Sequence, residues 1–280
     1  MDQVERDGLR FPVADHGPPD GPAVLLLHGF PQTQHSWDAV VPALAEAGFR
    51  VLVPAQRGYS PTARPAGRRR YVLPELAADA LAVADAARLE QVHVVGHDWG
   101  AVVAWHLAMH HPARVRTLTA LSVPHPAAMA RAALRGDQLL RSWYVLAIQL
   151  PWMAELGLRA GHGRWVAGAL QRTGLPPAHA QRSAALLREP GAATAMLAWY
   201  RALPLALRPS ARPLPVRVPT LYLWSDGDRY LGRAAAEACE RYVAAPFELV
   251  VLRGVPHWIP EVAPDEVVRQ VLAHVAAHGA

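Results

Sequence analysis

Cysteine is almost absent from this chain: its 280 residues contain one, Cys239. A single cysteine cannot form a disulfide within the chain, which excludes a disulfide-stapled fold. Its setting, AAAEACERYV, predicts a helical, structural position rather than a nucleophile. The sequence therefore offers no thiol for redox chemistry.

Lysine and long apolar runs are also missing. The 28 basic residues are all arginines, and against 23 acidic residues they give a formal charge of +5. Apart from Arg68, Arg69 and Arg70 they are dispersed among acids, without a nucleic-acid-binding motif, so we expect no nucleic-acid partner. No apolar run approaches the roughly 20 residues that cross a bilayer, and the first residues are charged where a signal peptide is apolar. We therefore expect a cytoplasmic monomer or homodimer without membrane insertion.

The chain does contain a regular alternation of short apolar runs and longer helical patterns. The runs read as strands buried on both faces, at 23–29, 50–54, 91–97, 117–124, 218–225 and 247–252. Helical periodicity is found at 38–48, 73–88, 100–111, 232–244 and 264–278. Such alternation predicts an α/β fold, a mostly parallel sheet covered by helices. The segment from Val4 to Phe11 suggests an antiparallel edge hairpin.

The alternation stops between Pro124 and about Pro209, where the sequence is rich in Ala, Leu, Arg and Trp at helical spacing. We interpret residues 124–208 as a helical cap domain inserted into a core domain formed by 1–123 and 209–280. The cap should lie above the carboxyl ends of the strands, where open parallel sheets bind ligands.

The segment Gly96-His97-Asp98-Trp99-Gly100 lies between a predicted strand and a predicted helix. Small residues two before and two after the central position are what a sharp strand-to-helix turn requires, and this turn exposes its central side chain. Most such turns carry Ser; here the residue is Asp98. A carboxylate attacks strained or activated sp3 carbon well and forms an ester that water can cleave. Asp98 is therefore the predicted nucleophile.

Three segments, LLLHGFPQTQHSW, QRGYSP and VVGHDWGA, resemble the epoxide hydrolase branch of the α/β-hydrolase fold, which also contains haloalkane dehalogenases. The resemblance extends over nearly the whole chain and implies that fold, with a helical cap insertion. It also implies an oxyanion hole formed by the backbone N–H groups of Phe30 and Trp99, whose side chains would wall the substrate pocket. By the same comparison, His28 and His97 are packing and hydrogen-bonding residues.

The resemblance also places a catalytic base after the last strand, and His257 is found there in a glycine-turn-His-Trp setting. The orienting acid belongs after the preceding strand, in LYLWSDGDRYLG, where Asp226 and Asp228 are both available. The resemblance aligns Asp228 with the acid and leaves Asp226 as a turn former. The order of nucleophile, acid and His is that of this fold.

Two tyrosines of the cap complete the set that the resemblance implies. Tyr144 precedes Pro151 by seven residues, and Tyr200 lies in a WYR setting. Opening an epoxide generates a basic alkoxide, and a phenol in a water-poor pocket can donate a proton or a hydrogen bond to it. We therefore expect an epoxide hydrolase acting on a small hydrophobic epoxide and water through an ester on Asp98, with no cofactor and no metal.

Three alternatives remain open. Haloalkane dehalogenases share the nucleophile, the base and Trp99, but commonly carry Asn where this chain has Phe30. A ligand-binding protein could retain the fold without activity. A metal site could start from His106, His110 and His111, although solvent-facing helix histidines explain them better.

Overall fold

The computed structural model of the protein describes residues 1–135, 138–159, 164–206 and 213–279. Its centre is an eight-stranded sheet whose strands are β1 (Gln3–Arg6), β2 (Leu9–His16), β3 (Ala23–Leu27), β4 (Arg50–Pro54), β5 (Val92–His97), β6 (Val115–Leu121), β7 (Thr220–Ser225) and β8 (Phe247–Leu252). Their order across the sheet is β1-β2-β4-β3-β5-β6-β7-β8. From β4 to β8 neighbouring strands are parallel, whereas β1 and β2 form the expected antiparallel hairpin at one edge.

Helices cover both faces of the sheet, and β3, β5 and β7 are therefore buried along their whole length. The helices of the core are α1 (Val41–Glu46), α2 (Leu73–Ala86), α3 (Trp99–His110), α11 (Arg233–Glu237), α12 (Ile259–Val262) and α13 (Pro264–His278). Side chains of α1 and α13 pack on one face of the sheet, and side chains of α2 and α3 on the other. The predicted mostly parallel sheet between helices is confirmed.

A helical segment connects β6 to β7. It consists of α4 (Pro126–Arg135), α5 (Gln138–Arg141), α6 (Trp143–Gln149), α7 (Met153–Arg159), α8 (Arg164–Arg172), α9 (Pro177–Arg188) and α10 (Ala192–Ala206). This is the region predicted to be the cap, and we keep that name for residues 124–208. The predicted boundary at 208 and 209 lies outside the described residues. Within the described ranges, no helix is long and apolar enough to cross a membrane.

Two predicted elements are shorter than expected, for local reasons. The strand predicted at 117–124 ends at Leu121 because Ser122 adopts a left-handed conformation with φ of 66°. The helix predicted at 232–244 ends at Glu237 and is followed by a single 3₁₀ turn. The chain must leave helical geometry there because Val243 pairs with Val216 as an isolated parallel bridge.

Candidate active site

Asp98 occupies the sharp turn between β5 and α3. Its φ of 52° and ψ of −119° lie outside the regions that non-glycine residues favour, so the rest of the fold must hold this backbone in place. Gly96 and Gly100 make the turn possible: a Cβ at position 96 would collide with the backbone of residue 100, and one at position 100 with the backbone of Leu27. The glycines predicted to permit the turn are therefore required by close backbone contacts.

The Asp98 carboxylate is held at both oxygens. The Phe30 N–H donates to Oδ1 at 2.8 Å, and His257 Nε2 lies 3.4 Å from Oδ2. Burial favours the protonated acid, but the hydrogen bond with His257 and the charge of that ring prevail, so the pKa of Asp98 is lowered. Trp99 is the first residue of α3, where a backbone N–H has no acceptor within the helix. The resting site therefore holds an ionised carboxylate beside free helix N–H groups.

His257 is oriented by Asp228 and not by Asp226. Its Nδ1 lies 2.7 Å from Asp228 Oδ2, while Asp228 Oδ1 accepts the N–H groups of Tyr230 and Leu231 at 2.7 and 3.1 Å. Asp226 is exposed and accepts the N–H of Gly254 at 2.7 Å, which closes a turn. Asp98, His257 and Asp228, the predicted nucleophile, base and acid, thus lie in one line of charged contacts.

The ring of His257 is flanked by two carboxylates, and this decides its charge. Burial disfavours the imidazolium, but the charge of Asp228, the hydrogen bonds to Asp228 and Asp98 and the charge of Asp98 together raise the pKa of His257 to about 10. With both carboxylates ionised, the ring is therefore protonated at neutral pH. Removing the charge of Asp98 would remove two of the causes that raise this pKa.

Tyr144 of α6 and Tyr200 of α10 lie together above Asp98. Their rings meet edge to face, with centroids 6.1 Å apart, and Tyr200 also packs edge-on against Phe30 at 5.4 Å and Trp99 at 4.9 Å. Burial raises the pKa of both phenols above the usual 10, and the charge of Asp98 adds to this effect. Both phenols therefore keep their protons at neutral pH.

A cavity of about 870 Å³ separates the core from the cap. Asp98, His257, Phe30, Tyr144 and Tyr200 all line it, and most of the remaining wall is apolar, including Ile148, Leu158, Val166, Leu170, Leu197 and Trp258. Trp99 is 6% exposed and packs behind Tyr200, so its side chain supports the wall from behind. The cavity is large enough and apolar enough for a hydrophobic small molecule.

Tyr230 belongs to this site and was missed from the sequence. Its ring packs edge-on against His257 at 5.0 Å and against Tyr144 at 5.9 Å, and it lines the cavity. Its position two residues after Asp228 was the available signal, since a turn that presents the acid to the cavity also presents its neighbours.

A second line of hydrogen bonds runs behind His257. His97 Nε2 lies 2.8 Å from the His257 carbonyl oxygen, His97 Nδ1 lies 3.0 Å from Gln32 Oε1, and Gln32 Nε2 lies 2.5 Å from Glu261 Oε1. The other oxygen of Glu261 is buried without a hydrogen-bond partner among the described residues. Burial raises the pKa of Glu261 to about 8 and lowers that of His97 to about 4, so both side chains are uncharged at neutral pH.

A neutral His97 carries one N–H, which the His257 carbonyl accepts, so its Nδ1 must accept a hydrogen bond. The nitrogen and oxygen of an amide are interchangeable in shape. With its NH2 group toward His97 and its oxygen toward a protonated Glu261, Gln32 satisfies both neighbours. This orientation gives every contact in the line one donor and one acceptor.

The remaining histidines of interest are structural. His28 is fully buried, bonds through Nε2 to the N–H of Gln56 at 3.2 Å, and has its pKa lowered to about 4 by burial. On α3, His106 and His110 stack with ring centroids 4.2 Å apart. The expectation that the α3 histidines face solvent is wrong for His106, which is 9% exposed and has the rings of His110 and His111 as neighbours. No cluster of three metal-binding side chains occurs in the part of the chain that the structure describes.

Comparisons with known proteins agree with the fold described above. A family model described as alpha/beta hydrolase fold matches residues 22–264. The chain is 35% identical to the Bacillus subtilis AB hydrolase superfamily protein YfhM, with 97% of this chain and 96% of that protein covered. It is 30% identical to Epoxide hydrolase A of Mycobacterium tuberculosis, with coverage of 96% and 95%. The solved structure of an epoxide hydrolase from Vigna radiata superposes with a TM-score of 0.84 at 29% identity, with coverage of 98% and 97%.

Proposed function

The chain belongs to the alpha/beta hydrolase fold family, and within it we propose that the protein is an epoxide hydrolase that converts a hydrophobic epoxide to a vicinal diol. The observation that carries the proposal is the pairing of a carboxylate nucleophile, Asp98, with two protonated phenols across one apolar cavity. Its relatives named as epoxide hydrolases, at about 30% identity over nearly the full length, support the same assignment.

In the first step Oδ2 of Asp98 attacks one epoxide carbon. The C–O bond of the ring breaks, its electron pair goes to the ring oxygen, and Tyr144 and Tyr200 donate a proton and a hydrogen bond to that oxygen. Oδ1 stays on the Phe30 N–H throughout, because that hydrogen bond already exists in the resting site. The product is a hydroxyalkyl ester of Asp98.

Formation of the ester changes the pKa of His257, the group that promotes the second step. Once Asp98 is an ester, His257 loses the charge and hydrogen bond that helped to raise its pKa, so the imidazolium can return a proton to the tyrosinate formed in the first step and the neutral ring can then act as a base. His257, still held by Asp228, takes a proton from water, and the resulting hydroxide attacks Cγ of Asp98. The N–H groups of Phe30 and Trp99 stabilise the oxyanion on Oδ1. Collapse of this intermediate breaks the bond between Cγ and the alkyl oxygen, which takes the proton held by His257 and leaves as the diol. The proton of the new carboxyl group passes to His257, which restores the carboxylate of Asp98 and the imidazolium.

The first test follows the covalent ester. With an aryl epoxide that the parent turns over, Asp98→Ala should form no diol and no adduct. His257→Gln should accumulate protein heavier by the mass of the epoxide, detected by intact-mass spectrometry. In a single turnover in ¹⁸O-water, the label should enter Asp98 and not the diol. Label found directly in the diol would contradict the ester mechanism.

The same assay discriminates the alternatives. Halide release from chloro- and bromoalkanes without diol formation would assign the site to dehalogenation and leave the two tyrosines without a catalytic role. Failure to react with either class, together with tight binding of the unchanged epoxide, would support a ligand-binding protein.

A further inference from the structure

The cap exposes an unusual number of large apolar side chains. Twelve such side chains are at least 36% exposed in the described residues, and nine of them lie between 134 and 205. Seven form what we call the apolar face: Trp143, Leu146, Leu150, Trp152, Met153, Leu156 and Trp165, each 50% to 77% exposed. The three on the core, in contrast, are 36% to 47% exposed. A concentration of exposed apolar surface of this kind marks an interaction site.

The apolar face extends over helices that contact one another, since α6 packs on α7 and α7 on α8. On α6 its members are spaced three and four residues apart, so they share one side of the helix and its C-terminal turn. Three of its residues are tryptophans, whose rings combine an apolar body with one polar N–H. Such side chains favour the boundary between lipid and water over a dry protein interior.

The positive charge of the chain is concentrated in the cap, which also carries the apolar face. Residues 124–208 contain ten arginines and three carboxylates, a formal charge of +7, whereas the rest contains 18 arginines and 20 carboxylates, a formal charge of −2. Arg164 is exposed beside Trp165, and Arg131 is exposed one turn before Leu134, which is 84% exposed. The positive charge therefore lies on the same domain as the apolar face.

The apolar face also borders the entrance of the active-site cavity. Trp143, Leu150 and Met153 belong to both, because each is at least half exposed and each lines the cavity of about 870 Å³. A molecule that leaves a surface covering this face would reach Asp98 without crossing water.

We propose that the apolar face docks the protein on an anionic lipid surface, with the mouth of the cavity toward the bilayer. Apolar side chains enter the headgroup region while exposed arginines attract anionic headgroups, and neither contact needs a spanning segment. The site receives apolar substrate directly from the lipid in which such molecules dissolve. A protein partner would have to match both the tryptophans and the positive charge, whereas an anionic bilayer matches both without a specific sequence.

The test measures binding of the full chain to vesicles in the absence of any substrate, so its result does not depend on the proposed reaction. The protein should float with vesicles that contain one third phosphatidylglycerol, bind pure phosphatidylcholine much more weakly, and lose binding as salt is raised. No flotation with either vesicle would overturn the proposal.

Matched variants locate the surface. Leu146, Trp152, Leu156 and Trp165 do not line the cavity, so replacing them by Gln, or by Asn at position 152 where φ is 64°, should abolish flotation and leave turnover of a water-soluble epoxide intact. The control Leu214→Gln with Val251→Gln removes exposed apolar side chains from the core and should not change flotation. Equal binding by both sets would overturn the assignment.

Charge variants and the oligomeric state complete the design. Arg131→Gln and Arg164→Gln should each weaken binding to anionic vesicles about fivefold, and they remain informative if the apolar variant fails to fold. If neither substitution weakened binding, the role of charge would be contradicted.

Sedimentation velocity should give the same mass for the parent and the apolar variant. A parent dimer that the apolar substitutions dissociate, and that does not bind vesicles, would assign the surface to a second copy of the chain.

Discussion

A carboxylate at position 98 determines which bonds this site can break. Its lowered pKa keeps it ionised, and the Phe30 N–H fixes one oxygen so that the other faces the cavity. In the proposed reaction, an ester formed by that oxygen remains beside His257, the group to which we assign its hydrolysis. Attack and hydrolysis can therefore use one geometry, with only the charge of Asp98 changing between them.

The two cap tyrosines are the basis of a prediction at this scale. Tyr144→Phe or Tyr200→Phe should lower the rate of ester formation by about 10²-fold to 10³-fold, the cost of removing one donor from a developing oxyanion. The double substitution should cost more than either alone, because one remaining phenol still stabilises the oxygen. Rapid mixing that follows tryptophan fluorescence or adduct mass would measure this step.

Tyr230→Phe provides the control for both tyrosine variants. This ring also lines the cavity and touches His257, but its hydroxyl has no role in the proposed reaction. Its loss should change ester formation less than tenfold. An equal loss in all three variants would indicate that the hydroxyl groups shape the cavity and do not act on the epoxide oxygen.

Some of these residues could be read from the sequence, and others could not. Asp98 was selected from the pattern of its turn, and His257 from the resemblance together with its glycine-turn-His-Trp setting. Asp226 and Asp228 lie two residues apart in one turn; the resemblance favoured Asp228, and in the folded chain it is Asp228 that lies 2.7 Å from His257 Nδ1. Glu261 was missed because nothing local indicates that its carboxyl is buried.

At the scale of elements, strands were predicted more closely than helices. β4 and β8 have the predicted bounds. The expectation that 247–252 is buried on both faces is wrong, because β8 is an edge strand and most of its side chains are only partly buried or exposed. The end of α11 depends on the pairing of Val243 with Val216, a contact between distant residues that helical periodicity does not contain.

Glu261, on the short helix α12, is the basis of a prediction about pH and stability. Its folded pKa of about 8 exceeds the usual 4.5, so between these values the unfolded chain loses a proton that the folded chain keeps. The stabilisation is complete below pH 4.5 and is lost as pH rises toward 8. Relative to Glu261→Gln, the free energy of unfolding of the parent should fall by up to about 1.4 kcal/mol per pH unit in this window.

Urea titrations at half-unit steps of pH would measure that slope. Glu266→Gln, on the adjacent helix α13, is the matched control: Arg269 lowers the pKa of Glu266, so its stabilisation is lost only as pH falls below about 4.5, and between pH 4.5 and 8 the profile of this variant should run parallel to that of the parent. A parent and a Glu261→Gln variant with parallel pH profiles would show that Glu261 is ionised in the folded chain and would contradict the proposed orientation of Gln32.

At the scale of the whole molecule, a buried ion pair in the core holds the residue to which the cap is hydrogen-bonded. Arg57, in the loop after β4, is fully buried and donates to Asp79 of α2 at 2.6 and 2.7 Å. Asp79 also accepts from Arg6 of β1 at 2.8 Å. The carbonyl oxygen of Arg57 accepts the indole N–H of Trp199, the residue beside Tyr200 on α10. The position of a proposed proton donor in the cap therefore rests on a charge pair in the core.

Asp79→Ala should accordingly lower the free energy of unfolding by about 3–5 kcal/mol, because it leaves the buried guanidinium of Arg57 with only the longer contact to Glu75, at 3.5 Å, as a carboxylate partner. Asp85→Ala is the control on the same helix: Asp85 pairs with Arg114, but its side chain is 63% exposed, and water compensates for its loss at a cost of about 0–1 kcal/mol. Both substitutions gain the same helix propensity from alanine, so their difference isolates burial. Urea unfolding midpoints at one pH would give the two values. Equal losses would mean that water reaches Arg57 in the variant, and that Trp199 and Tyr200 are held by the packing of α10 alone.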